Sequence, residues 1–281
     1  MRLGELGPGW ATEFFLHRRD AIVIERYDCI VVRTPGNPNF YWGNFLLLPQ
    51  APADGELAFW LQRFDDEIAS LQPGSEHVAI GINAAPASFA LPSWSAAGLK
   101  RHANTVLRIE AAALRPSARA PQGEARFAVL DFERDAEAIV ELECSDLPGF
   151  EPKAYAEHRR LRLQRYAQMA RQDSAAWFGF WCDGLLAAEC GLIRAGATGR
   201  IGRFQHVLTH PFHRRRGLCS ALIHAVTNWG FTQWRLDSVL MCADPEDVAI
   251  AIYQSLGYAR IADECGLQRN APRDRAAEVA A

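Results

Sequence analysis

The chain has 281 residues, 49% hydrophobic and 22% charged; at ~100–200 residues per domain this predicts two domains and excludes the low hydrophobicity of a disordered chain. A formal net charge of -3 and a pI of 6.3 exclude bulk attraction to nucleic acid or an anionic membrane, so any anion site must be local. Seven cysteines without a CxxC pair, several of them inside apolar runs, predict reduced thiols with no disulfide framework and no metal site.

The opening run MRLGELGPGWATEFF lacks a basic start and a continuous apolar core, and no stretch approaches the ~20 apolar residues that span a bilayer. The expectation is a soluble, cytoplasmic protein. AIVIERYDCIVV, residues 21–32, places two β-branched runs around a polar turn and predicts a hairpin. A strand is expected over Phe40–Leu48. The aromatic and polar stretch NPNFYWGNF, residues 37–45, is expected to pack on the sheet rather than to line a pocket. Over 56–71, Leu57, Trp60, Leu61, Phe64 and Ile68 recur at helical spacing, and HVAIGIN, residues 77–83, reads as a buried strand.

PSARAPQG has no hydrophobic periodicity, which divides the chain into a first domain at 1–115, a linker at 116–124 and a second domain at 125–270, with a tail at 271–281. The second domain reads as a strand at 126–130, helices at 135–142 and 154–171, and a hairpin of WFGFWC and LLAAECGLI around Asp183-Gly184, whose residues supply the positive φ of a tight turn. A strand at 203–208, a helix at 218–229, the strand SVLMCA, a helix near 246–256 and a final strand pair ending at Arg269 complete it. This order predicts an α+β fold with a mixed, mainly antiparallel sheet flanked by helices. WSAAGLKRHANTV, from Trp94, also overlays YQSLGYARIADEC, from Tyr253, with Gly98 over Gly257. Tandem duplication of one fold explains this overlay, as does the frequency of glycine at helix ends.

The chemistry concentrates in THPFHRRRGLCSALIHAV. A helix start exposes N–H groups without internal partners and carries partial positive charge, so it attracts phosphate. Gly217, Cys219 and Ser220 keep the turn small, while Arg214, Arg215 and Arg216 add positive charge beside His213. No GxxxxGK[ST] or GxGxxG run occurs, which argues against a nucleotide-binding regulator.

With Arg214, Gly217 and Cys219 at the three defined positions of Arg/Gln-x-x-Gly-x-Gly/Ala, the turn resembles the pyrophosphate loop of the GCN5-related N-acetyltransferase (GNAT) superfamily, departing from it only in Cys219. The resemblance implies a three-layer α/β/α fold, acetyl-CoA as acyl donor, and a main-chain contact of the pantetheine arm with Val207, Leu208 and Thr209. Arg214, Arg215, Arg216, Gly217, Leu218, Cys219 and Ser220 would form the phosphate turn. It further implies that Tyr253, followed by Gly257-Tyr258, is the acid that protonates the departing thiolate.

Thioester aminolysis also needs a base, because an amine of pKa ~8–10 is largely protonated at neutral pH. Glu189 and His206 are the candidates, and strand alternation predicts that only one of Gln205 and His206 faces the cleft. A helix start also lowers thiol pKa and so raises a covalent role for Cys219, but the resemblance assigns that place to phosphates. The first half lacks the arginine and the glycine-small turn and has Trp94 where the second has Tyr253, so it reads as a degenerate copy without CoA binding. The expected function is an N-acetyltransferase acting on a small-molecule or peptide amine, with a non-catalytic acyl-CoA sensor as the alternative and the choice between monomer and homodimer open.

Overall fold

The computed structural model describes residues 1–17, 21–84, 89–146 and 152–270. The chain divides into two compact units, one of Met1–Thr105 together with the chain from Ala262 onward, the other of Val106–Ile261. The expected boundary at 116–124 therefore lies inside the second unit. Val106–Glu110 joins that unit because Leu107 and Ile109 enter its core. The expected tail, 271–281, lies outside the described residues. Among these, no helix is long and apolar enough to cross a membrane.

In the first unit the helix α1 (Pro8–His17) precedes the hairpin β1 (Ile22–Glu25) and β2 (Ile30–Arg33) and the strand β3 (Phe45–Gln50). Helix α2 (Leu57–Phe64) leads to β4 (Val78–Ala84), and α3 (Pro92–Ala96) to β5 (Lys100–Glu110). β3 and β4 are parallel, whereas β2 is antiparallel to both β1 and β3. Strand alternation separates two apolar faces: Val31, Leu46 and Leu48 pack with Trp60, Phe64 and Trp94, while Ile30, Val32, Phe45 and Leu47 pack with Trp10 and Phe14. Helices thus cover both faces of the sheet. Residues 37–45 form a sealed knot, in which the buried Asn44 carboxamide donates to the Phe40 carbonyl at 2.8 Å and accepts from Thr34 N–H at 2.7 Å.

The second unit starts its own sheet at β6 (Ala125–Leu130), then α4 (Ala136–Cys144) and α5 (Pro152–Ala170). The meander β7 (Ala175–Cys182), β8 (Leu185–Arg194) and β9 (Ile201–Thr209) follows. Next come α6 (Leu218–Gln233), β10 (Ser238–Ala243), α7 (Ala249–Ser255) and β11 (Ala259–Arg269). The order across this unit is β6-β7-β8-β9-β10-β5. Phe178, Phe180, Cys190 and Leu192 face α6 and α7, whereas Trp177 faces α5, its ring 4.4 Å from that of Tyr166. The Asp183-Gly184 hairpin forms as expected, with φ of 51° and 81°.

Two features were not anticipated. α1 was missed because its buried apolar residues, Trp10, Phe14 and Leu16, are too few to establish a period. The expected final strand pair is one strand, β11, whose Cys265–Arg269 pairs antiparallel with Ile82–Val78 of β4. A partner almost two hundred residues upstream leaves no local turn signal to read.

Candidate active site

β9 and β10 run parallel and pair only from Ile201↔Ser238 to Arg203↔Leu240. Beyond Arg203, β9 keeps only its ladder to β8, which leaves one backbone edge of Phe204–Thr209 unladdered. Val207, Leu208 and Thr209, the residues expected to meet a pantetheine arm, lie on that segment and are half-buried.

The β8–β9 ladder pairs Gly191 with Gln205 but Glu189 with Leu208, so two residues of β9 oppose Cys190 alone. His206 takes up the extra residue at φ 48°, as a bulge requires. This corrects the expectation from alternation. Gln205 and His206 both reach the α4–α5 layer: Tyr166 Oη lies 3.3 Å from Gln205 Oε1, and His206 Nδ1 lies 3.1 Å from Glu189 Oε1 and 3.2 Å from Glu143 Oε1.

These contacts belong to a buried charge network. Glu143 and Glu189 are 0% exposed at their side chains, whereas His206 is 25% exposed. Arg159 forms a bidentate ion pair with Glu143, and Trp177 Nε1 donates to Glu189 Oε2. Burial, reinforced by the Glu143 carboxylate beside it, raises Glu189 well above the usual carboxylic acid range. Burial and the nearby Arg159 and Arg162 hold His206 well below the usual imidazole value. His206 is therefore neutral at physiological pH. Carboxyl oxygens beside Nδ1 favour the Nδ1–H tautomer, and Nε2, without a hydrogen-bond partner among the described residues, is left as a proton acceptor. Of the two sequence candidates, Glu189 is thus fully buried and His206 partly exposed.

Glu143, Glu189 and His206 also place three ligand-type atoms within 4.8 Å of one another, but the Arg159 guanidinium already supplies the countercharge. Sequence reading missed Glu143 and Arg159. The available signal was an acid at the core-facing spacing of α4, four residues after the buried Ile139.

At the end of β9, Pro211–His213 makes a short turn, Arg215 adopts φ 62°, and Gly217 begins α6 at φ 79°. Among the described residues no acceptor takes the backbone N–H groups from Arg215 to Ser220; the first helical bond is Ala221 N–H to the Gly217 carbonyl at 3.1 Å. Arg215 and Arg216 are exposed. Arg214 is not the free charge expected: it pairs with Asp146 and donates to the Thr209 carbonyl at 3.3 Å. Leu218 is buried and anchors the helix start. Burial pushes the Cys219 thiol up to about 12, so the thiolate that covalent catalysis requires does not form at neutral pH.

Tyr253 is 5% exposed, in the core cluster with Cys190 and Leu222. Its hydroxyl has no hydrogen-bond partner among the described residues, whereas the Tyr258 hydroxyl lies 2.7 Å from Thr227 Oγ1. Burial first, then the neighbouring Cys219, raises the Tyr253 phenol. It stays protonated and available as a donor.

The model of the Acetyltransferase (GNAT) family matches residues 136–258, and no curated protein matches the chain. Three solved structures resemble it along most of its length. A functionally unknown conserved protein from Staphylococcus epidermidis has a TM-score of 0.72 at 14% identity, covering 92% of this chain and 97% of its own. A GCN5-related N-acetyltransferase from Kribbella flavida has 0.63 at 16% identity, covering 92% and 93%. A tandem GNAT protein from the clavulanic acid biosynthesis pathway has 0.54 at 15% identity, covering 90% and 84%. At these identities the likeness concerns the fold, and it agrees with two successive GNAT-like units. Residues 136–258 thus carry a domain similar to the Acetyltransferase (GNAT) family.

Proposed function

We propose that the second unit transfers an acetyl group from acetyl-CoA to a primary amine by direct attack, with His206 as general base and Tyr253 as general acid. The observation that carries this reading is the departure of β9 from β10 after Arg203, with His206 Nε2 open on the departing strand. The pantetheine arm extends the free edge of Val207–Thr209 as an added strand would. The pyrophosphate takes the N–H groups from Arg215 to Ser220, and Arg215 and Arg216 add charge-assisted contacts.

The amine nitrogen bonds to the thioester carbon and its proton passes to His206 Nε2. Glu143, beside Nδ1, keeps it protonated and stabilises the imidazolium that forms. The C–S bond then breaks and the sulfur takes the Tyr253 proton, which solvent returns to the phenol.

The deep burial of Tyr253 favours a second reading, a unit that binds acyl-CoA without turning it over. Thiol release from acetyl-CoA, measured across amines of differing size and charge, separates the two. Amine-dependent release lost in His206→Ala supports transfer. Tight CoA binding with no release for any amine supports the sensor.

A further inference from the structure

The stretch with the composition of a linker, together with the residues just before it, is bound over Ala113–Gln122 to both motifs of the second unit. Its start lies at the end of α7, where Arg115 N–H donates to the Leu256 carbonyl at 2.9 Å. A Cβ on Gly257, at φ 104°, would stand 2.0 Å from the Ala113 carbonyl oxygen. Its far end lies on the start of α6. Gln122 N–H donates to the Arg216 carbonyl at 3.0 Å, and Ser117 Oγ lies 2.8 Å from the Arg119 carbonyl and 3.0 Å from Ser220 Oγ, its one proton shared between them. Ser220 in turn donates to the Gly217 carbonyl at 3.1 Å. A Cβ on Gly217 would stand 2.7 Å from the Ala120 carbonyl oxygen. Each of the two motif glycines therefore has its Cβ space taken by this segment, in addition to a φ that disfavours other residues.

The polarity of these contacts is informative. The segment binds the turn through the Arg216 carbonyl and the Ser220 hydroxyl and takes none of the N–H groups from Arg215 to Ser220. A plug over the phosphate site would consume those donors. A strap behind it fixes their direction and leaves them open.

Resting on the acetyl-CoA reading above, we infer that Ala113–Gln122 is a positioning strap of the donor site, which holds the phosphate turn in its anion-binding form and ties it to the helix that carries Tyr253. A pre-formed turn spares the ligand the cost of ordering it. The strap therefore acts on the phosphate end of the donor and not on the thioester end.

The test uses the full chain and two donors, acetyl-CoA and S-acetyl-pantetheine, the latter carrying the thioester arm without phosphates. Ser117→Ala combined with Gln122→Pro removes both contacts made to the turn from the strap. The expected result is a KM for acetyl-CoA raised about tenfold, equivalent to ~1.4 kcal/mol, with the KM for S-acetyl-pantetheine within about twofold. An unchanged KM for acetyl-CoA, or equal rises for both donors, overturns the strap. If the double variant does not fold, limited trypsin digestion of the wild-type chain decides, because cleavage after Arg119 must slow when CoA is bound, by reciprocity of coupling. Equal cleavage rates overturn the strap. Failure of the wild-type chain to bind CoA in calorimetry overturns the acetyl-CoA reading and the strap together, whereas binding unaffected by the double variant overturns the strap alone.

Discussion

The two units share a plan and differ in how far the parallel strand pair runs and in how the following helix starts. Each has a parallel strand pair joined through a helix, then a closing helix that ends on a positive-φ glycine: Gly98 at 82° and Gly257 at 104°. The hydrogen bonds at these ends correspond, Leu99 N–H to the Trp94 carbonyl at 3.0 Å and Tyr258 N–H to the Tyr253 carbonyl at 3.1 Å. Trp94 and Tyr253 are therefore equivalent positions. In the first unit, however, β3 and β4 stay in register from Leu46↔Ile80 to Gln50↔Ala84, whereas β9 leaves β10 after three pairs.

The helix start differs in the same sense. α2 follows the acidic turn Asp54–Glu56, where α6 follows arginines and Gly217. Ser93 N–H and hydroxyl engage the Asp54 carboxylate at 2.9 and 2.6 Å, and the fully buried Trp94 donates to the Asp54 carbonyl at 3.2 Å. The two units thus differ in whether the parallel pairing continues to the strand end.

The comparison can be broken most severely at His206, which has no counterpart function in the closed unit. His206→Ala should lower kcat by ~10²–10⁴-fold, the usual contribution of a general base, with CoA affinity nearly intact. A kcat within threefold of wild type removes His206 from the chemistry.

The matched pair at the closing helices sharpens it next. Tyr253→Phe should reduce kcat by ~10²-fold or more and leave the melting temperature close to wild type. Trp94→Ala should do the reverse, costing ~3–5 kcal/mol of stability through the cavity it leaves. Steady-state kinetics and melting curves on both variants check the contrast, and a large stability loss with normal kcat in Tyr253→Phe would make that tyrosine a core residue.

Closing the open turn should make the second unit resemble the first. Gly217→Trp, at φ 79° and facing the Ala120 carbonyl, should weaken CoA binding by more than about tenfold, as charge-assisted contacts of ~1.5–3 kcal/mol are lost. Gly55, with open space at its Cβ, should accept tryptophan without effect on CoA. Calorimetry should also give one CoA per chain; two would restore a site to the first unit.

The smallest expected effect concerns Glu189. Its folded-state pKa is raised, so its charged form disfavours folding, and it takes stability away as pH rises from its unfolded value through its folded value. Glu189→Gln resembles the protonated group and should flatten that decline in pH-dependent melting. Glu143→Gln leaves the buried Arg159 without its partner and should cost ~3–5 kcal/mol. Equal effects of the two substitutions would show that the carboxyls do not divide these roles.

Much of the second unit was legible in the amino-acid order. The Asp183-Gly184 turn, the period of α6 and the spacing of Arg214, Gly217 and Cys219 are local, because backbone torsion and the exposed N–H groups of a helix start depend on adjacent residues. The correspondence of Trp94 with Tyr253 was legible in the same way, from the glycine that follows each closing helix. Tertiary structure decided the rest. It placed Glu143, Arg159, Glu189 and His206 from four elements into one buried network, put Gln205 and His206 on the same face through a bulge, and bound residues within 116–124 to the start of α6. It also carried β11 from Ala262 onward into the first unit. Each of these depends on burial of charge, or on hydrogen bonds between segments tens of residues apart, and such pairings impose no period on the chain.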